Sequence, residues 1–121
     1  MNFIRYDNLI FYKLSSAETI LIRATKSTWV ESISVCNLAD NVSGNRLSLK
    51  ITKTLNIIGN SKTVFKIRNL LIDKNQSKDL IVYLGNKIFL NNGDSLTIFS
   101  GSYHDLFDCT VDFYELNEAS N

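Results

Sequence analysis

The 121-residue sequence predicts an all-β fold, an antiparallel two-sheet β-sandwich of jelly-roll type with about eight strands. Three observations carry that expectation. Apolar residues recur at every second position in most segments, the spacing of a half-buried strand. Clusters of Gly, Asn, Asp and Ser interrupt these segments at intervals of roughly ten residues. Helical periodicity is absent over any useful length, so alternating strands and helices with a ligand crevice at a parallel sheet are not expected.

The expected strands are 9–14, 18–25, 28–37, 46–54, 63–71, 79–84, 87–90, 95–100 and 107–116, all within one domain spanning 1–121. Residues 1–17 read as an N-terminal arm or an edge strand. Their apolar run Leu9-Ile10-Phe11-Tyr12 serves either as a contact to a neighbouring molecule or as an edge strand of the same domain. Thr28 to Asn37 is rich in β-branched residues, and the polar stretch Asp40 to Asn45 after it reads as a hairpin turn. From Arg46 to Lys53, Leu47, Leu49 and Ile51 share one face while charged and hydroxyl residues take the other. Ile58-Gly59-Asn60-Ser61 and Asp73 to Ser77 bracket the next strand. Leu80, Val82 and Leu84 alternate, which predicts a strand over 79–84. Gly85-Asn86 breaks it, Asn91-Asn92-Gly93-Asp94 turns the chain before Leu96 and Ile98, and Gly101-Ser102 is the last break. Phe107, Cys109, Val111 and Phe113 then alternate with Asp108, Thr110 and Asp112.

Composition narrows the function. The chain is 45% apolar and 21% charged, enough to bury a core. Its 13 basic and 12 acidic residues leave a net charge of +1, with no Lys/Arg excess of the kind nucleic acid selects and no polybasic stretch for an anionic membrane. Arg5, Asp7 and Lys13 interrupt the N-terminal apolar residues, so no export signal is read there, and no apolar run reaches the roughly 20 residues that span a bilayer. A cytoplasmic site of synthesis and assembly is therefore expected. In a reducing compartment Cys36 and Cys109 default to free thiols, the alternative being a disulfide between neighbouring strands. Without a signal peptide, Asn41-Val42-Ser43 and Asn75-Gln76-Ser77 are chance matches to the glycosylation pattern.

Residues that could carry chemistry are few. His104 is the single histidine. It lies beside Asp105 in a polar stretch, where a solvated loop histidine is the alternative to an acid/base pair. Cys36, Cys109 and His104 lack the paired spacing of a zinc site. Asp105, Asp108 and Asp112 offer oxygen ligands for a surface calcium ion, the alternative being solvated carboxylates on an outer strand face. Phosphate-loop and nucleophile-elbow motifs are missing. No enzyme activity, cofactor or metal is expected. Trp29, Tyr83, Tyr103 and Tyr114 could form an exposed aromatic platform, or could pack between a sheet face and a loop.

The order of certain segments is familiar. Thr28 to Asn37 ends in Ile33-Ser34-Val35-Cys36-Asn37, a polar turn follows, and Leu47 to Ile51 comes next. Later, Leu90-Asn91-Asn92-Gly93-Asp94-Ser95-Leu96 precedes a final hairpin and a strand ending Tyr114-Glu115-Leu116. With its "I-x-V-C-N" and "L-x-x-G-D-x-L" motifs, the chain resembles a group of small tailed-bacteriophage virion proteins, over roughly Ser27 to Leu116. Physically, Gly93 is expected to supply a positive φ, Asp94 to bond nearby amides and Asn37 to satisfy backbone groups at a strand end.

The resemblance implies a non-enzymatic structural protein of the virion, decorating the capsid or attached to the neck, tail or fibre. Its partners would be other virion proteins and further copies of itself, with neither nucleic acid nor membrane involved. A carbohydrate- or receptor-binding β-sandwich module is the alternative, suggested by the tyrosines on the outer strand faces.

Overall fold

Alternation of apolar and polar residues builds two antiparallel sheets that pack face to face. The computed structural model describes residues 3–14, 18–37, 44–54, 61–100 and 107–117. In chain order the strands are β1 (Phe3–Leu14), β2 (Thr19–Arg23), β3 (Thr28–Asn37), β4 (Gly44–Thr54), β5 (Ser61–Asp73), β6 (Ser77–Asp79), β7 (Ile88–Leu90), β8 (Ser95–Ser100) and β9 (Phe107–Asn117), with one short helix, α1 (Leu80–Leu84). The first sheet runs β1-β9-β3, and both β6 and β7 pair with the far side of β3; the second runs β2-β8-β4-β5. This is the all-β, two-sheet sandwich that the alternation predicts.

The core lies between the sheets. Val30, Ile33 and Val35 on β3 and Phe107, Cys109, Val111 and Phe113 on β9 face Leu47, Leu49 and Ile51 on β4 and Leu96 and Ile98 on β8, all buried. At roughly 25 cal/mol per Å² of apolar surface removed from water, this shared interior is the main favourable term in folding.

Two expectations fail. The segment 79–84 is not a strand: β6 stops at Asp79 and a single helical turn follows. Asp79 caps that turn, its carboxylate accepting from the amides of Ile81 (2.9 Å) and Val82 (3.3 Å), and Gly85 closes it at φ 79°. The turn buries Leu80 and Ile81 together and leaves Val82 77% exposed, which strand alternation does not allow. The second failure concerns pairing. The stretch after Asn37 does not make a hairpin, because β3 and β4 belong to different sheets, and β8 and β9 are likewise separated. Among the described strands, β4 and β5 are the consecutive pair that hydrogen-bond to each other. Turn residues show where the chain bends; they carry no information about which strand it then joins.

Buried polar groups tie the connections down. Asn37, at the end of β3, donates from Nδ2 to the Ile72 carbonyl at 2.9 Å, while its own carbonyl accepts from the Asn75 amide at 2.9 Å. Gly93 has φ 95°, and the Asp94 carboxylate accepts from the Asn91 amide at 2.9 Å, as the turn chemistry predicts. That turn is also held against the β2–β3 connection, with Gly93 donating to the Ala24 carbonyl (2.7 Å) and Ala24 to the Asp94 carbonyl (2.8 Å). A bulge in β5 puts Asn69 at φ 56°, where its amide donates to Ser48 Oγ at 3.0 Å and accounts for that buried hydroxyl.

Candidate functional site

The outer face of the first sheet carries a row of aromatic residues in register. Trp29 on β3 is opposite Phe89 on β7 and opposite Tyr114 on β9, and the register partner of Tyr114 on β1 is Tyr6. Directly opposed residues share a face, so strand pairing alone brings the Phe89, Trp29 and Tyr114 side chains together. The rings of Trp29 and Phe89 lie 4.7 Å apart at 58°. Trp29 remains 40% exposed. Beside it opens a groove of about 370 Å³ lined by Trp29, Glu31, Lys87, Tyr114 and Leu116. The register shift between Val30 and Ser32 makes Glu31 the extra residue of a bulge, and Lys87 Nζ donates to Glu31 Oε1 at 2.8 Å. The groove thus has an apolar floor and one donor–acceptor pair of opposite charges on its rim. It can hold an amphipathic ring or an apolar side chain.

The outer face of the second sheet is different. Phe65 on β5 and Phe99 on β8 meet edge to face at 6.2 Å, with Ile20 and Leu71 also exposed. The Arg68 guanidinium carbon lies 4.2 Å above the Phe65 ring and Lys50 Nζ lies 5.4 Å above that of Phe99. Lys50 also pairs with Glu18 at 2.5 Å.

The structure separates most of the other residues singled out by sequence. Cys109 is buried, with its thiol pushed up from 9.0 to about 12 by desolvation. Val35 is the register partner of Cys109, so Cys36 points to the opposite face of the sheet and the two thiols do not bond within one chain. Asp108 and Asp112 lie on the outer face of β9, four residues along one strand, or about 13 Å at the usual rise, too far apart to share one cation. Asp112 accepts a hydrogen bond from the Asn8 side chain. No cluster of three or more metal-ligating side chains occurs among the described residues. Tyr83 is 53% exposed on α1, below Lys78 Nζ at 5.4 Å from the ring centroid, and does not line the groove. Tyr103, His104 and Asp105 lie outside the described residues. Leu9 is half-buried against the core on β1, the outer strand that pairs with β9.

Sequence reasoning missed Phe89, Phe65, Phe99 and the Glu31–Lys87 pair. A signal existed for Phe65 and Phe99, since both sit opposite the apolar face of their own strands. Pairing Phe89 with Trp29 requires the β3–β7 register, which no local pattern encodes.

No helix among the described residues is long and apolar enough to cross a membrane. No family model matches the sequence, and no curated protein matches it. Solved structures do match the fold. A chain of the T13 infectious bursal disease virus particle aligns with 97% of this chain at 11% identity and a TM-score of 0.52, with 31% of its own length covered. A chain of the infectious bursal disease virus Gx strain aligns with 100% of this chain at 11% identity and a TM-score of 0.51, with 34% covered. A chain from the disulfide-linked pili of Bacillus endospore appendages aligns at 10% identity and a TM-score of 0.47, covering 98% of this chain and 92% of that one. This chain spans about a third of the length of the two virus chains. At these identities the likeness is one of fold.

Proposed function

We propose that this chain is a non-enzymatic structural component of a virus particle, acting through contacts with other particle proteins and with copies of itself. The observation that carries the reading is the likeness of fold, over nearly the whole chain, to chains of a virus particle. The strand order supports it further. With β1-β9-β3-β6 facing β2-β8-β4-β5, the chain passes repeatedly from one sheet to the other, which is the organisation of a jelly roll. Such a sandwich offers outer faces, loop ends and strand edges for docking while its interior stays closed.

The finer assignment is to the virion of a tailed bacteriophage, assembled in the host cytoplasm, on the capsid surface or at the neck, tail or fibre. It rests on the order of the motifs ending at Asn37 and running from Leu90 to Leu96. The residues of those motifs hold turns and strand ends, so the likeness they carry is one of architecture. To test the proposal, particles from producing cells are purified on a density gradient and analysed by mass spectrometry. The chain is expected to band with the particles at a constant ratio to the capsid protein. Its absence from washed particles would overturn the reading.

The groove at Trp29 favours a second reading, a carbohydrate- or receptor-binding module. An exposed indole stacks on the apolar face of a sugar ring, and Glu31 and Lys87 supply an acceptor and a donor for its hydroxyls. A glycan array probed with the intact protein and with Trp29→Ala checks it; binding lost in the variant supports the module, and no binding by either removes it.

A further inference from the structure

The near-neutral chain is not neutral sheet by sheet. Strands β2, β4, β5 and β8 together carry seven basic residues and one acidic residue, a net +6, whereas β1, β3, β6, β7 and β9 carry three basic and six acidic, a net −3. Register puts part of this charge on the outer faces, where Lys87 offsets Glu31 on the first sheet and Glu18 offsets Lys50 on the second. Arg46 and Lys50 share the outward face of β4 with Thr52, opposite Leu71 and Phe65 of β5, and Arg68 reaches over the Phe65 ring. Lys66 is exposed at the neighbouring bulge. On the other sheet, Asp108 and Asp112 lie opposite Cys36 and Ser32 on the outward face, near the Asp79 carboxylate that accepts from Ser32 Oγ at 3.0 Å.

These two faces point away from each other across the sandwich, so they cannot meet within one molecule. Two copies joined by the same face would set like charges together, which opposes an isologous dimer. A basic face of one copy against an acidic face of the next has no such penalty. We propose that copies of this chain dock head to tail in this way, with the outer face of β4 and β5 on one copy against the outer face of β3 and β9 on the next. This inference rests on the assembly role above and adds its geometry. Exposed apolar groups on both faces, Phe65 and Leu71 on one and Trp29 on the other, supply the non-directional part of the contact. The Arg68 guanidinium lies over the Phe65 ring, which places a cation beside the apolar part of this face, where a carboxylate of the next copy can meet it. A heterologous contact of this kind closes into a ring or runs on as a filament.

Sedimentation velocity of the whole chain tests the inference. In the unmodified protein, self-association is expected to weaken by about tenfold or more between about 0.05 M and about 0.5 M salt. Lys66→Glu with Arg68→Glu, or Asp108→Lys with Asp112→Lys, is expected to abolish it, and an equimolar mixture of the two double variants to restore it. Circular dichroism checks that each variant is folded, and the salt series needs no variant at all. Association indifferent to salt and to both charge reversals would overturn head-to-tail docking. So would association that nuclease removes, or a monomer under every condition. If the chain bands with particles but shows no charge-dependent self-association, this docking fails and the particle role stands. Charge-dependent association without particle binding has the reverse meaning.

Discussion

On their inner faces the two sheets use the same materials. Val30, Ile33, Val35 and Val111 of one meet Leu47, Leu49, Leu96 and Ile98 of the other, and all are buried. On their outer faces they diverge. The first presents an aromatic row with a groove and carboxylates; the second presents two rings capped by cations. Burial constrains the inner faces, where any large change in volume or polarity is felt. Folding leaves the outer faces largely unconstrained, so their opposite character is available to a role outside folding. Perturbations of the two kinds of face should therefore separate stability from association.

The largest contrast lies between the two thiols. At pH 8 a thiol reagent should modify Cys36 in the native protein, while Cys109 reacts about a thousandfold or more slowly, at the rate of global opening. Equal rates would place both thiols on accessible surface. The raised pKa of Cys109 also fixes a sign. The unfolded thiol ionises first, so the stability arising from its burial is fully present below pH 9.0 and is lost as pH rises towards about 12. Melting temperatures across that window check it against Cys109→Ala, which should lose less stability over the same range.

Next in size is the core. Phe107→Ala empties a fully buried site and should cost about 3–5 kcal/mol in chemical denaturation. Asn37→Ala should cost about 1–3 kcal/mol, because it leaves the Ile72 carbonyl without its Nδ2 donor in a buried place. The smallest effect is expected outside: Lys66→Glu should change stability by about 0.5 kcal/mol or less by the same method, whatever it does to association. A large stability loss there would mean that the outer face also serves folding.

How much was legible follows from the length scale of each signal. The faces of β4 and β9 could be read directly because alternation persists over Leu47 to Ile51 and Phe107 to Phe113. The turn at Gly93-Asp94 could be read because glycine and a short carboxylate have local conformational reasons to be there. The helix after Asp79 was not legible, since five residues are too few to display a helical period and Leu80, Val82 and Leu84 mimic a strand. Its caps, Asp79 and Gly85, were the available clue. Passage of the chain between sheets after Asn37 was hidden for another reason, because pairing is set by tertiary packing. The groove was half visible: Trp29 and Tyr114 stood out as aromatics, but the register that adds Phe89 and aligns Lys87 with Glu31 is non-local.

The central claim is the proposed docking of copies of this chain through their opposite outer faces, and the mass of the unmodified protein tests it most directly. Light scattering at low ionic strength over a range of concentrations is predicted to give a mass that rises with concentration above that of one chain. The mass of a single chain at every concentration would contradict the account.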